Sequence, residues 1–206
     1  MPIPVTYRNS GDGSIASYNY LDIMTGTAYK TFYGLQSTSG ATTSYILSPN
    51  SLASTITHTN SGANTAMNLT FDLPVEILTR IGGQAQLYIP TGVYRTGTAG
   101  DLTTTVSGQL FVVSSAGVET DIGSSYEAQS WIGIGGSTSY WKGNTYKINV
   151  PKMNVQPGER IRLKIFTTAA GANCVVEVLH DPENMEVSTY LLDYKLRLNL
   201  PLQIFQ

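Results

Sequence analysis

The sequence predicts an all-β fold: a two-sheet antiparallel sandwich, jelly-roll-like, entered through an extended N-terminal arm. Three observations carry this. Apolar residues recur at every second position in one segment after another, as a half-buried strand requires. Turn-forming residues separate these segments at intervals of roughly 8–15 residues, the spacing of a sandwich. No apolar pattern at helical spacing runs longer than about two turns.

Residues 1–14 hold two prolines and the run Asn9-Ser10-Gly11-Asp12-Gly13-Ser14. That is the composition of an arm, which could reach up to roughly 45 Å if extended. Residues 15–206 are read as one domain, with no internal repeat. Tyr18, Tyr20, Tyr29, Phe32 and Tyr33 crowd the first part of it, and Tyr7 lies in the arm. Clustered tyrosines are favoured at protein interfaces, so these six are the candidate docking and self-association residues; packing of a first strand is the plainer alternative.

Further along, Met67, Leu69, Phe71 and Leu73 alternate with Asn68, Thr70 and Asp72. The stretch Val75–Arg80 after Pro74 reads as one helical turn or a bend that crosses between sheets. Gly82-Gly83 reads as a turn. Leu87 and Ile89 alternate with Gln86 and Tyr88, and Gly97-Thr98-Ala99-Gly100 ends that run. Leu110-Phe111-Val112-Val113 is a short continuous apolar run, as in a strand covered on both faces. Ser115-Ala116-Gly117 then reads as a hairpin turn. Tyr146, Ile148 and Val150 alternate with Lys147 and Asn149. Pro157-Gly158 fits a type II turn: proline presets φ at the second position, and glycine accepts φ > 0 at the third. A strand follows at once, with Ile161, Leu163 and Ile165 on one side and Arg160, Arg162 and Lys164 on the other. Those three cations read as a solvated strand face. The last run alternates Tyr194, Leu196, Leu198 and Leu200 with Lys195, Arg197 and Asn199. About eight to ten strands result.

Composition narrows the function. The 206 residues carry 12 Lys+Arg against 14 Asp+Glu, a net charge of −2, and only 13% are charged. Phosphate-binding proteins cluster their cations, so nucleic acid is not an expected partner. No run of about 20 apolar residues exists to span a membrane as a helix, and the N-terminus does not read as a secretory signal. One cysteine, Cys174, allows no internal disulfide and sits in a strand-like run, which fits a buried inert thiol.

Local chemistry is thin. Ile132-Gly133-Ile134-Gly135-Gly136-Ser137 lacks the helix that a phosphate-binding glycine loop needs after it. His58 and His180 have no ligand set at metal spacing, and Asp181-Pro182-Glu183-Asn184 lacks the ladder of a calcium loop. Asp72, Glu76, Glu119, Asp121 and Glu127 could supply carboxylate pairs, but sequence does not show the separations such catalysis requires. No nucleophile elbow appears. The expectation is therefore a protein that is not an enzyme and takes no cofactor or metal. Trp131, Tyr140 and Trp141, with Tyr126 nearby, are the candidate aromatic platform for a glycan.

Two stretches bear a resemblance. Residues 16–34, from Ala16-Ser17-Tyr18-Asn19-Tyr20-Leu21 to Thr31-Phe32-Tyr33-Gly34, resemble the opening of structural proteins of tailed phages and environmental viral genomes. Val155-Gln156-Pro157-Gly158-Glu159-Arg160-Ile161-Arg162-Leu163, continuing to His180-Asp181-Pro182, is similar to late strands of the same group. Together they cover about a quarter of the chain. The resemblance implies a virion component of capsid-associated or decoration type. It would be made in the host cytoplasm, sit on the capsid exterior, contact the major capsid protein and self-associate as a homotrimer. The alternatives are a carbohydrate-binding or host-adhesion module, or a collar or tail component. A low-charge Ser/Thr/Tyr surface suits any of these, because a hydroxyl loses less on leaving water than an ion does.

Overall fold

The computed structural model describes residues 27–39, 42–49, 57–60, 66–95, 97–136, 139–170, 173–180 and 196–203. The arm at 1–14, with Tyr7, Tyr18 and Tyr20, lies outside the described residues, as do 181–184 and the side chains of His58 and Tyr126. The described residues form eleven strands: β1 Thr27–Ser39, β2 Thr42–Ser48, β3 Thr57–Asn60, β4 Met67–Pro74, β5 Thr79–Arg95, β6 Gly100–Val113, β7 Glu119–Ile134, β8 Tyr140–Val155, β9 Arg160–Ala170, β10 Cys174–His180 and β11 Arg197–Gln203. The fold is all-β, as the period-two pattern predicts.

The strands make two packed layers joined along one side. One layer runs β7-β6-β9-β4. The other runs β8-β5-β11-β1, with β10 and β3 continuing from the far half of β5. Strand β2 joins the layers: it pairs antiparallel with the second half of β1 and touches β4 through a parallel bridge, Ile46 to Asp72. Among the described residues, that bridge is the one departure from the antiparallel arrangement the sequence predicts. On the opposite side β7 lies against β8 without ladder pairing, and a Cβ at Gly123 would come 2.7 Å from both the Asn149 carbonyl and Ile148 Cγ2. Glycine is therefore required there for the backbone of one strand to ride on the other.

The inward side chains fill the space between layers. Leu69 and Phe71 of β4, Leu87 and Ile89 of β5, Leu110 of β6, Ile148 of β8, Leu163 and Ile165 of β9, and Leu198 and Leu200 of β11 are all buried in one cluster. Gly108 of β6 faces β5, and a Cβ there would collide with Leu87. A smaller cluster at one end holds Val93, Leu102, Ile134, Cys174 and Val176, with Trp131 against it. Cys174 is fully buried, and burial pushes its thiol pKa up, so it is the inert thiol the sequence predicts. His180 is likewise buried, edge-on to Tyr45 and Phe71 at ring distances of 5.5 and 5.9 Å.

Most of the predicted turns hold. Gly158 has φ of 86° and the Glu159 N–H donates to the Gln156 carbonyl at 3.1 Å, closing the Pro157-Gly158 turn. Ser114–Gly117 closes the β6–β7 hairpin, with Gly117 at φ 85°. The stretch after Pro74 is the bend that carries the chain from β4 in one layer to β5 in the other. Gly82-Gly83 is not a turn. The pair sits inside the 17-residue strand β5, where the register against β8 shifts between Ile81 and Gly83. It is a bulge, and two glycines signal either outcome because both need the same backbone freedom.

Candidate functional site

Rows of cross-strand partners define the outer face of the β4-β9-β6-β7 layer. Near one end three rows bring charges together: Pro74, Arg160, Val113 and Glu119; then Asp72, Arg162, Phe111 and Asp121; then Thr70, Lys164, Gln109 and Ser124. Arg162 donates from Nε and Nη2 to both oxygens of Asp72 at 2.6 and 2.7 Å, and from Nη1 to Glu119 at 2.6 Å. Lys164 Nζ reaches the other Glu119 oxygen at 2.6 Å and sits 4.6 Å above the Phe111 ring. Arg160 lies 3.3 Å from Asp72, and Gln109 donates to Asp121 at 2.6 Å. The three cations are therefore not a free solvated face. Three carboxylates on neighbouring strands, distant in sequence, are brought among them. Hydrogen bonds from Lys164 and then Arg162 hold the Glu119 carboxyl below its ordinary range. The guanidinium of Arg162 is raised by its hydrogen bonds to Asp72.

The same strands continue into three rows without a charge: Asn68, Phe166, Ser107 and Tyr126; then Thr168, Thr105 and Ala128; then Ala170, Thr103 and Ser130. Phe166 stands in the first of them with 42% of its surface exposed. Ser107 Oγ is tied to the Phe166 carbonyl at 3.3 Å, which fixes the hydroxyl beside the ring. Rows lie about 7 Å apart and strands about 4.8 Å apart, so this uncharged area measures on the order of 400 Å².

A cavity of about 310 Å³ opens at the end of these rows, lined by Asp101, Leu102, Thr103, Ser130, Trp131, Ile132 and Ala170. Trp131 donates from Nε1 to Thr104 Oγ1 at 2.9 Å, and Asp101 accepts from the Gly133 N–H at 2.9 Å. Both side chains are thus held in place, while Ile132 is 83% exposed at the rim.

The predicted aromatic platform does not assemble. Trp131 and Tyr140 border the smaller core cluster, Tyr140 as the cross-strand partner of Val93. Trp141 is the next residue of an extended strand and so points to the opposite face. There it lies over Gly92, where a Cβ would come 2.6 Å from its ring. The predicted tyrosine interface is also divided. Phe32 is in the main core, paired with Leu198. Tyr29 and Tyr33 are half-buried on the other side of β1. Among the described residues no group of three or more His, Cys, Asp and Glu could hold a metal ion.

Comparison with known proteins adds a fold relationship. No protein-family model matches the chain, and no curated protein does. Solved structures do. A CocE/NonD family hydrolase from Staphylococcus aureus is similar at TM-score 0.53 and 10% identity, over 85% of this chain and 37% of that one. An α-amino acid ester hydrolase is similar at TM-score 0.53 and 8% identity, over 85% and 36%. An aminopeptidase from a marine sediment archaeon, Thaumarchaeota archaeon, is similar at 0.52 and 7%, over 84% and 36%. The chain spans little more than a third of the length of these proteins. The likeness is one of fold. It nevertheless overturns the expectation that the chain is not an enzyme, because this architecture recurs within hydrolases. The physical reason is plain: catalytic groups converge from distant positions, so the want of a local motif excludes nothing.

Proposed function

We propose that the chain is an attachment module of a virion, which docks on the capsid exterior against the major capsid protein and self-associates there. The observation that carries this reading is the uncharged outer face of β4-β9-β6-β7 around Phe166. An area of uncharged side chains, mostly hydroxyl and methyl groups around the exposed Phe166 ring, loses little on leaving water. It offers a partner the aromatic anchor that dominates most interfaces. Its size also decides how it must work. About 400 Å² is half of the roughly 800 Å² that each partner contributes to a standard interface. A single copy would hold weakly, and a homotrimer would hold through three linked contacts. The sequence resemblance to phage structural proteins points to the same setting. The test is mass spectrometry of purified particles. A copy number in the hundreds supports docking over the shell, about a dozen places the chain at a vertex, collar or tail, and its absence from particles refutes the reading.

A second reading rests on the 310 Å³ cavity. An immobilised indole, a carboxylate and the hydroxyls of Thr103 and Ser130 are the groups that bind sugars, so the same module would recognise a glycan on the host surface. A glycan array on wild type and Asp101→Asn tests it: binding lost in the variant supports it, and a silent array on the wild type removes it.

A further inference from the structure

The main core opens at one end of the sandwich. Where β4 runs into β5, a cavity of about 450 Å³ lies between the layers. Its walls are Leu73 and Ile161, cross-strand partners on β4 and β9, then Phe32, Leu200 and Leu202 of the facing layer, and Val75 of the bend. All six belong to the main core or pack against it. The bend is pinned from both sides. The Val75 N–H donates to the Glu159 carbonyl and the Gly158 N–H to the Val75 carbonyl, each at 2.9 Å, and Thr79 Oγ1 donates to the Ile77 carbonyl at 2.9 Å. The cavity is therefore preformed, and its volume falls in the range of small-molecule sites, roughly 300–1,000 Å³. It lies at the opposite end of β9 from the 310 Å³ cavity.

One lining residue does not match the others. Lys30 of β1 takes an inward position between Ala28 and Phe32, which are 2% and 5% exposed, and it is the cross-strand partner of Leu200. Its ammonium lies 5.5 Å from the centre of the Phe32 ring. Glu76 is the one carboxylate among the described lining residues; it stands exposed on the bend, and no ion pair joins it to Lys30. An ammonium among apolar side chains loses solvation, and a carboxylate placed beside it offsets that loss. An alkyl tail on that carboxylate takes apolar wall out of water, a gain that grows with its length. Glu76 opposes such an anion only weakly, because water screens an exposed charge.

We infer that this cavity binds a medium-chain fatty acid, with the carboxylate on the Lys30 ammonium and the tail against Leu73, Ile161, Leu200 and Leu202. The site is independent of whatever the outer face docks against. Calorimetric titration of the whole chain tests it, with hexanoate, octanoate and decanoate kept below micelle formation and octanol as the uncharged control. Octanoate should saturate one site, and affinity should rise roughly fourfold with each added methylene, the value of burying that group. Octanol should bind at least about tenfold more weakly, the loss of a charged hydrogen bond. Lys30→Met keeps the unbranched stem and should bind octanoate no better than octanol, whereas Lys30→Arg should keep the preference and Glu76→Gln should bind octanoate as well as wild type or slightly better. The inference is overturned by no saturable binding, by octanol matching octanoate on the wild type, by affinity that ignores chain length, or by Lys30→Met binding octanoate undiminished. The comparison of octanoate with octanol is made on the wild type, so it decides the matter even if a variant fails to fold.

Discussion

The outer face of the β4-β9-β6-β7 layer carries two surfaces on one set of strands. In three rows, Asp72, Glu119 and Asp121 meet Arg160, Arg162 and Lys164, and most of these charges are matched by a neighbour. In the next three rows no side chain is charged, and a phenylalanine stands in the open. The same strands run through both, with one register shift between β6 and β7 among the charged rows, so the difference lies chiefly in which residue occupies the outward position. Matched charges fasten strands that are remote in sequence, because each bond spans a ladder. Neutral rows carry no ion pair between strands, only such bonds as that of Ser107 Oγ to the Phe166 carbonyl, and lose little on leaving water. A single sheet face can therefore hold itself together at one end and stay available at the other.

Four changes would break or sharpen that contrast. The largest effect is expected from Phe166→Arg, which puts an ion into the neutral rows. Particle binding measured by co-sedimentation should fall at least about thirtyfold, the loss expected at an interface hot spot. The melting temperature should barely move; if it falls steeply, Phe166 is structural and the contrast fails. Next is Arg162→Ala, which removes the bidentate pair with Asp72 and the bond to Glu119. Urea unfolding should show a loss of about 2 kcal/mol, in the range for hydrogen bonds to charged groups. Particle binding should be unchanged.

The third is a pH effect. Hydrogen bonds from Lys164 and Arg162 hold the Glu119 carboxyl below its ordinary value of 4.5 in the folded chain. Its contribution is fully present above the unfolded value and is lost as pH falls through the folded one. Stability should decline on acidification below about pH 4.5, and that part of the decline should be absent in Glu119→Gln. An identical acid profile in the variant would remove Glu119 from the ladder. The smallest is Lys164→Met, which keeps the stem over Phe111 and removes the ammonium. About 0.5 kcal/mol is expected, less at high salt, because the pair is partly exposed. A loss as large as that of Arg162→Ala would mean the lysine is not peripheral.

The architecture was legible in the sequence because alternation and turn chemistry are local. Leu69, Phe71, Leu163 and Ile165 line the core as their spacing predicts, and Pro157-Gly158 and Ser115-Ala116-Gly117 turn where they should. What depends on pairing was not legible. Arg160, Arg162 and Lys164 look solvated until Asp72 and Glu119 are placed on the strands beside them. Trp131, Tyr140 and Trp141 look like one cluster until the pleat sends adjacent residues to opposite faces. Phe32 looks like an interface residue among tyrosines, yet the same pleat turns it into the core. The neutral rows left only a faint trace: Thr103, Thr105 and Ser107 alternate without a charge, but nothing local says that Phe166 and Thr168 lie beside them.

The contact between β7 and β8 has a consequence for how copies of the chain can meet. A strand with spare amides invites the next molecule to add on, and repetition yields fibres. Here β7 and β8, which end their layers on this side, lie against each other, and the ion pair of Glu127 with Lys142, 3.7 Å apart, straddles the join. Along that margin another copy would meet side chains rather than bare backbone.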